Sequence, residues 1–295
     1  MALTKNLAKQ KLKEKKQKSF IAGIPITVWL FIIVLVPVFL MFVMSFRQKS
    51  GYEILNVFTI SNYLEFFRND TFWRLLLKSF RMAFMVSISA IITGYPLAYF
   101  VSRRLRRFRN LFYMLIITPL WVSYLVRIIA WRTILGNRGL INTALLNLGI
   151  IKEPLSIFLY NQASVVLTLT YIAIPFVFIP LYTALEKIPN NLIDAARDLG
   201  ASEARTFINV IFPLSLPGLV TGFMLSFIIA LGDYIIPAQL GGNAGIMYGN
   251  VVWAQFGGAF NWPFGAALGF ILFFIAAVVL VIAQIFGSKE GIFAE

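Results

Sequence analysis

Of the twelve acidic side chains in the 295-residue sequence, Asp233 alone is embedded in an apolar run, FMLSFIIALGDYIIPAQLGG. A carboxylate at depth in a membrane costs about 2.5 kcal/mol or more, so it must face an aqueous pathway or a partner. Gly232 before it and Pro237 after it let a helix break or bend there, and Tyr234 adds a hydroxyl and a ring face. A carboxylate flanked by aromatic rings suits an organic ammonium group, held by charge and by cation–π attraction. Pairing with Arg127 or with a neighbouring chain is the other use for the same charge. Arg127 lies in a second apolar stretch, LWVSYLVRIIAW, from which its head can also snorkel to the outer surface. Trp121, Ser123 and Tyr124 precede it and join Asp233 and Tyr234 as candidates for the lining of a solute pathway.

A second stretch has a different chemistry, that of docking. Residues 190–218 read NNLIDAARDLGASEARTFINVIFPLSLPG, a polar island between two long apolar segments. Asn190 or Asn191 can cap a helix start, and Asp194 follows in the first turns, where negative charge suits the helix dipole. Ala195, Ala196 and Leu199 make a small, smooth face, and Gly200 is placed to end the helix in a left-handed cap. Ser202 can cap the next helix, with Glu203 just inside it and Phe207, Val210 and Ile211 as its apolar face. The spacing predicts two short helices joined by a glycine corner at a membrane surface, a knob that another protein's backbone can approach closely.

The elements that must position these residues are membrane spans. The chain is 59% hydrophobic, more apolar surface than a soluble domain can cover. Apolar runs predict six spans, at about 20–46, 79–101, 110–131, 162–185, 217–236 and 263–286, giving an all-α polytopic membrane protein. Residues 1–19 are a lysine-rich tail, 47–77 and 132–161 are external segments, 237–262 is an uncharged, glycine-rich external loop, and 287–295 is a short tail. Arg103, Arg104, Arg106, Arg107 and Arg109 form a short, intensely basic loop, which the positive-inside rule places in the cytoplasm. Under this arrangement the inside segments carry roughly twice the Lys and Arg of the outside ones, so both termini are cytoplasmic. The net charge of +14 is thereby accounted for by topology and anionic lipid, not by nucleic acid.

The same composition removes several chemistries. Without cysteine or histidine there is no disulfide, no thiol nucleophile, no Ser-His-Asp set and none of the common zinc sites. No GxxxxGK[ST] occurs, so the chain has no P-loop of its own, and ATP hydrolysis would belong to a partner. A stand-alone secondary transporter usually shows internal repeats and several intramembrane acids, whereas this chain has one such acid and no evident repeat. A membrane enzyme would lack a credible catalytic set.

In its polar island the chain resembles the type I permease subunits of binding-protein-dependent ABC importers. Their EAA signature runs Glu-Ala-Ala, three residues, Gly, nine residues, then Ile-x-Leu-Pro. Asp194-Ala195-Ala196, Gly200 and Val210-Ile211-Phe212-Pro213 match it here within residues 190–213, with Asp for Glu, Val for Ile and Phe for Leu as departures. The blocks PLWVSYLVRIIAW, LGNRGLIN, DAARDLGAS and GDYIIPAQLGG resemble the spermidine/putrescine branch, in particular the first of its two paired permeases. Relatives importing opines, 4-aminobutyrate and similar amines share these blocks. The resemblance implies a non-catalytic inner-membrane subunit of a bacterium that works with a second homologous permease, two ATPase subunits holding ATP and Mg, and a solute-binding protein. It also implies that Asp194, Ala195, Ala196, Leu199, Gly200 and Phe207 couple to the ATPase.

Overall fold

A computed structural model describes Pro25 and residues 28–51, 53–105 and 107–291. The lysine-rich tail lies outside these, as do Arg106 and the last four residues. Among the described residues, five helical segments are long and apolar enough to cross a membrane. They are α1 (Val28–Ser45), α3 (Asp70–Tyr99, continued by a π-helical turn to Arg104), α7 (Gln162–Lys187), α10 (Phe212–Gly232, entered from Glu203) and α14 (Trp262–Gly291). A bent pair of helices makes a sixth crossing if the two are counted as one span. Helix α4 (Arg109–Ile117) with its 3-10 extension Thr118–Trp121 meets the segment beginning with α5 (Tyr124–Leu135) at 98°.

Three expectations are corrected by this arrangement. The helix that carries the second span starts at Asp70, not near residue 79, because Asn69 caps it by accepting from the Thr71 N–H at 3.0 Å. Ahead of it, the external segment folds into an antiparallel hairpin, β1 (Arg47–Ser50) with β2 (Glu53–Phe58), and α2 (Ser61–Arg68). Gly51 supplies the positive φ, +61°, that the turn needs. The third span, expected to be continuous over 110–131, breaks where Pro119 withholds an N–H, and the backbone runs extended at Val122 and Ser123. Nor is 237–262 an open loop. It folds into α11 (Ile235–Leu240), α12 (Gly242–Gly245) and α13 (Tyr248–Phe256), with Gly241 and Gly242 packed against neighbouring backbone.

The core is the three-helix contact of α3, α7 and α10. On α7, Val165, Leu169, Ala173, Val177, Phe178, Leu181 and Leu185 are wholly buried. Close approach depends on small residues, as membrane helix pairs generally do. A Cβ added at Gly218 of α10 would lie 2.6 Å from both the Ala184 Cβ and the Pro180 carbonyl oxygen on α7. The Tyr95 and Ser215 hydroxyls, 2.8 Å apart, tie α3 to α10 inside this apolar packing. A second cluster, Phe66, Leu76, Tyr248, Phe264 and Leu268, joins α2, α3, α13 and α14. By contrast, α1 is almost bare from Val28 to Leu40, an apolar surface suited to hydrocarbon or another subunit.

Candidate functional site

The docking corner is built directly on the end of α7. Ile188 and Pro189 run extended, and α8 (Asn190–Asp198) begins with Pro189 at its N-cap position and no side-chain cap. Contrary to the expectation from residue type, neither Asn190 nor Asn191 caps the helix. Already inside the helix, Asn190 accepts from Arg103 Nη1 at 2.9 Å. The other end of α8 follows the expectation. Gly200 has φ +82°, its N–H donates to the Arg197 oxygen at 2.8 Å, and the Ala201 N–H donates to the Ala196 oxygen at 3.0 Å. Those two bonds are the Schellman closure, which a side chain at Gly200 would strain. Ser202 caps α9 (Glu203–Thr206) by accepting from the Arg205 N–H at 3.3 Å.

Leu199 stands at the corner 88% exposed, flanked by exposed Asp194 and Ala195 and half-buried Ala196. Phe207 has a different place. It opens the π-helical turn Phe207–Ile211 and packs edge-on against Tyr95 and Tyr99, with ring centroids 5.8 and 5.5 Å away. It therefore anchors the corner to the bundle and does not extend its outer face. Glu203 braces the corner from the side through ion pairs with Arg104 at 2.7 Å and Arg197 at 3.6 Å.

The second constellation forms where the broken span meets the end of α10. The helix stops at Gly232, four residues before the expected end of the fifth span. Asp233 is extended there, with φ −73° and ψ 134°. Its Oδ1 accepts the Ile236 N–H at 2.9 Å, and the Tyr124 hydroxyl donates to Oδ2. Tyr124 is the first residue of α5, so the break in one span delivers a hydroxyl to the break after another. Tyr234 stacks on Trp253 of α13, with centroids 4.7 Å apart and planes at 16°. Asn250 Nδ2 holds the Tyr234 carbonyl at 2.7 Å. Gly249 lets α13 come close, since a Cβ there would lie 2.9 Å from the backbone carbonyl oxygen of Asp233.

Asp233 and Arg127 form no ion pair, which leaves the carboxylate without a cationic partner among the described residues of this chain. The Arg127 guanidinium lies 5.5 Å from the Tyr124 ring centre, and its Nε and Nη1 are buried without a hydrogen-bond partner. Trp121, 79% exposed, and Ser123 lie in the break itself, and neither side chain reaches Asp233 by a hydrogen bond or ring contact. Trp253 carries no signal in the sequence, because a single aromatic in an uncharged, glycine-rich stretch has no periodicity to mark it.

Five or six candidate membrane crossings among the described residues, one of them broken beside a half-buried carboxylate, and an exposed capped corner between two of them are the arrangement of a multi-pass membrane protein. The chain belongs to the binding-protein-dependent transport system inner membrane component family, whose model matches residues 90–289. It is 35% identical to the spermidine/putrescine transport system permease protein PotB of Salmonella typhimurium, over 86% of this chain and 88% of that one. It is 34% identical to the protein of the same name from Escherichia coli, over 86% and 92%. In fold it is similar to a chain of a bacterial ABC transporter that imports the acidic polysaccharide alginate. That match has a TM-score of 0.73 at 14% identity, covering 95% of this chain and 99% of the other. The fold is accordingly that of type I ABC importer permeases.

Proposed function

We propose that this chain is one of two membrane halves of an ATP-driven importer in a bacterial inner membrane, carrying a polyamine or similar amine delivered by a solute-binding protein. ATP and Mg are held by two ATPase subunits, and the exposed Leu199–Gly200 corner docks on one of them from the cytoplasm. The observation that carries the solute assignment is Asp233, a carboxylate with no cationic partner among the described residues, bonded by Tyr124 and followed in sequence by Tyr234, which stacks on Trp253. Such a group offers charge and ring faces to one ammonium of a passing polyamine. Its one exchangeable partner, a hydroxyl, can give way to the cation and return as the cation leaves. The curated relatives named for spermidine and putrescine support the same solute class.

Arg127 favours a second reading, in which the solute is a zwitterion such as an opine or 4-aminobutyrate. Its two unpartnered guanidinium nitrogens beside Tyr124 suit a carboxylate, as Asp233 suits an ammonium. Uptake by the whole complex in proteoliposomes separates the two. With ATP inside and loaded binding protein outside, labelled spermidine is expected to accumulate, and excess putrescine is expected to compete while 4-aminobutyrate does not. Accumulation of 4-aminobutyrate without spermidine would establish the zwitterion reading, and no ATP-dependent uptake of either would overturn both.

A further inference from the structure

We propose that Arg109 is a positioning residue of the transport cycle: it latches α4 to the end of α7, so that motion of the cytoplasmic corner is carried to the Tyr124–Asp233 pair. The inference rests on the function proposed above. Arg109 is the first residue of α4. Its Nε donates to the Tyr182 hydroxyl at 2.6 Å, its guanidinium lies 5.2 Å from the centre of the same ring, and it forms an ion pair with Glu186. One helical turn on, Tyr113 packs against Tyr182 and Phe178 at centroid distances of 4.9 and 5.7 Å. Two rows of i, i+4 spacing therefore face each other, Arg109 and Tyr113 on α4 against Phe178, Tyr182 and Glu186 on α7.

The two ends of this zipper reach the two sites. Glu186 lies in the last turn of α7, from which Ile188 and Pro189 lead straight into α8 and the corner. At the other end, about 13 Å away along α4, the helix passes into the 3-10 turn and the break that sets Tyr124 against Asp233. Arg103 secures the same junction from α3, donating to the carbonyl oxygens of Leu185 and Ile188 and to Asn190. Arg104 braces it from Glu203. Those two arginines join α3 to the corner. Arg109 is a charged link that joins α4 to the end of α7, which leads into the corner. Positive charge alone would satisfy topology anywhere in the loop; the paired geometry of Arg109 with Tyr182 and Glu186 is an additional requirement. A packed element biased from both ends is what coupling between distant sites needs.

The test uses the whole complex in lipid, reading ATP hydrolysis with and without spermidine-loaded binding protein. Arg109→Gln is expected to leave assembly and unstimulated hydrolysis in place and to cut the stimulation by about tenfold. Arg109→Lys is expected to keep part of it, and the exchange Arg109→Glu with Glu186→Arg to restore most of it. Full stimulation and uptake in Arg109→Gln would overturn the latch alone. So would loss of assembly in Arg109→Gln that the charge exchange does not repair, since Arg109 would then be a packing residue. A wild-type complex that loaded binding protein never stimulates would overturn the functional reading, and the latch with it.

Discussion

Gly200→Val is expected to abolish uptake while the binding protein still captures solute with unchanged affinity and the permease still reaches the membrane. The effect arises in the backbone. A Cβ at Gly200 would meet nothing within 4 Å, so crowding is not the obstacle. The φ of +82° is, because an L-residue in the left-handed region is disfavoured by about 1–2 kcal/mol and a β-branched one by more. Relief of that strain breaks the two closing bonds from Gly200 and Ala201 and swings Leu199 and α9 out of register with α8. A graded series makes the reading specific, since Asn tolerates the left-handed region better than Ala and Ala better than Val. Uptake is expected to fall in the order Asn, Ala, Val. Normal uptake by Gly200→Val would remove the corner from the transport cycle.

Asp233→Asn is expected to weaken solute binding within the membrane by about 10- to 150-fold, the equivalent of losing one charge-assisted hydrogen bond of roughly 1.5–3 kcal/mol. The substitution is nearly isosteric: its Oδ1 still accepts from the Ile236 N–H and its Nδ2 can donate to the Tyr124 hydroxyl oxygen in place of the present bond, so the turn after α10 is expected to survive. Uptake falls less than binding, because a transit site must also release what it holds. Asp233→Glu, which keeps the charge, is expected to retain substantial uptake. Normal uptake at limiting spermidine by a well-assembled Asp233→Asn complex would end the cation assignment.

The long helices were legible because α7 and α10 are continuous apolar runs, and the corner because Gly200 and Ser202 have few other uses at those positions. The break in the third span was not. Pro119 was visible, but so were Pro175 and Pro180, which sit inside an unbroken α7. The difference lies in tertiary context. Helix α7 is enclosed by α3 and α10, whereas α4 has exposed Leu111, Met114 and Leu115 and packs mainly along one face. Asp233 drew notice from its surroundings in sequence, yet its partner Tyr124 is brought to it only by that break. The arginine loop carried a topological signal, and that signal masked a structural one. A run of like charges reads the same whether or not Arg103, Arg104 and Arg109 each have a separate partner on α7, α8 or α9. Asn190 shows the reverse case, a residue of the right type displaced from its cap by the preceding Pro189.

The chain has no native cysteine, so Leu199→Cys places a single thiol on the exposed corner. In the assembled complex, a short bifunctional reagent is expected to link this thiol to an ATPase subunit, with a yield that changes between ADP and a non-hydrolysable ATP analogue as the docked corner moves. A complex that imports spermidine yet gives no link from this position to the ATPase in either nucleotide state would contradict docking at this corner, and with it the route by which hydrolysis drives this permease.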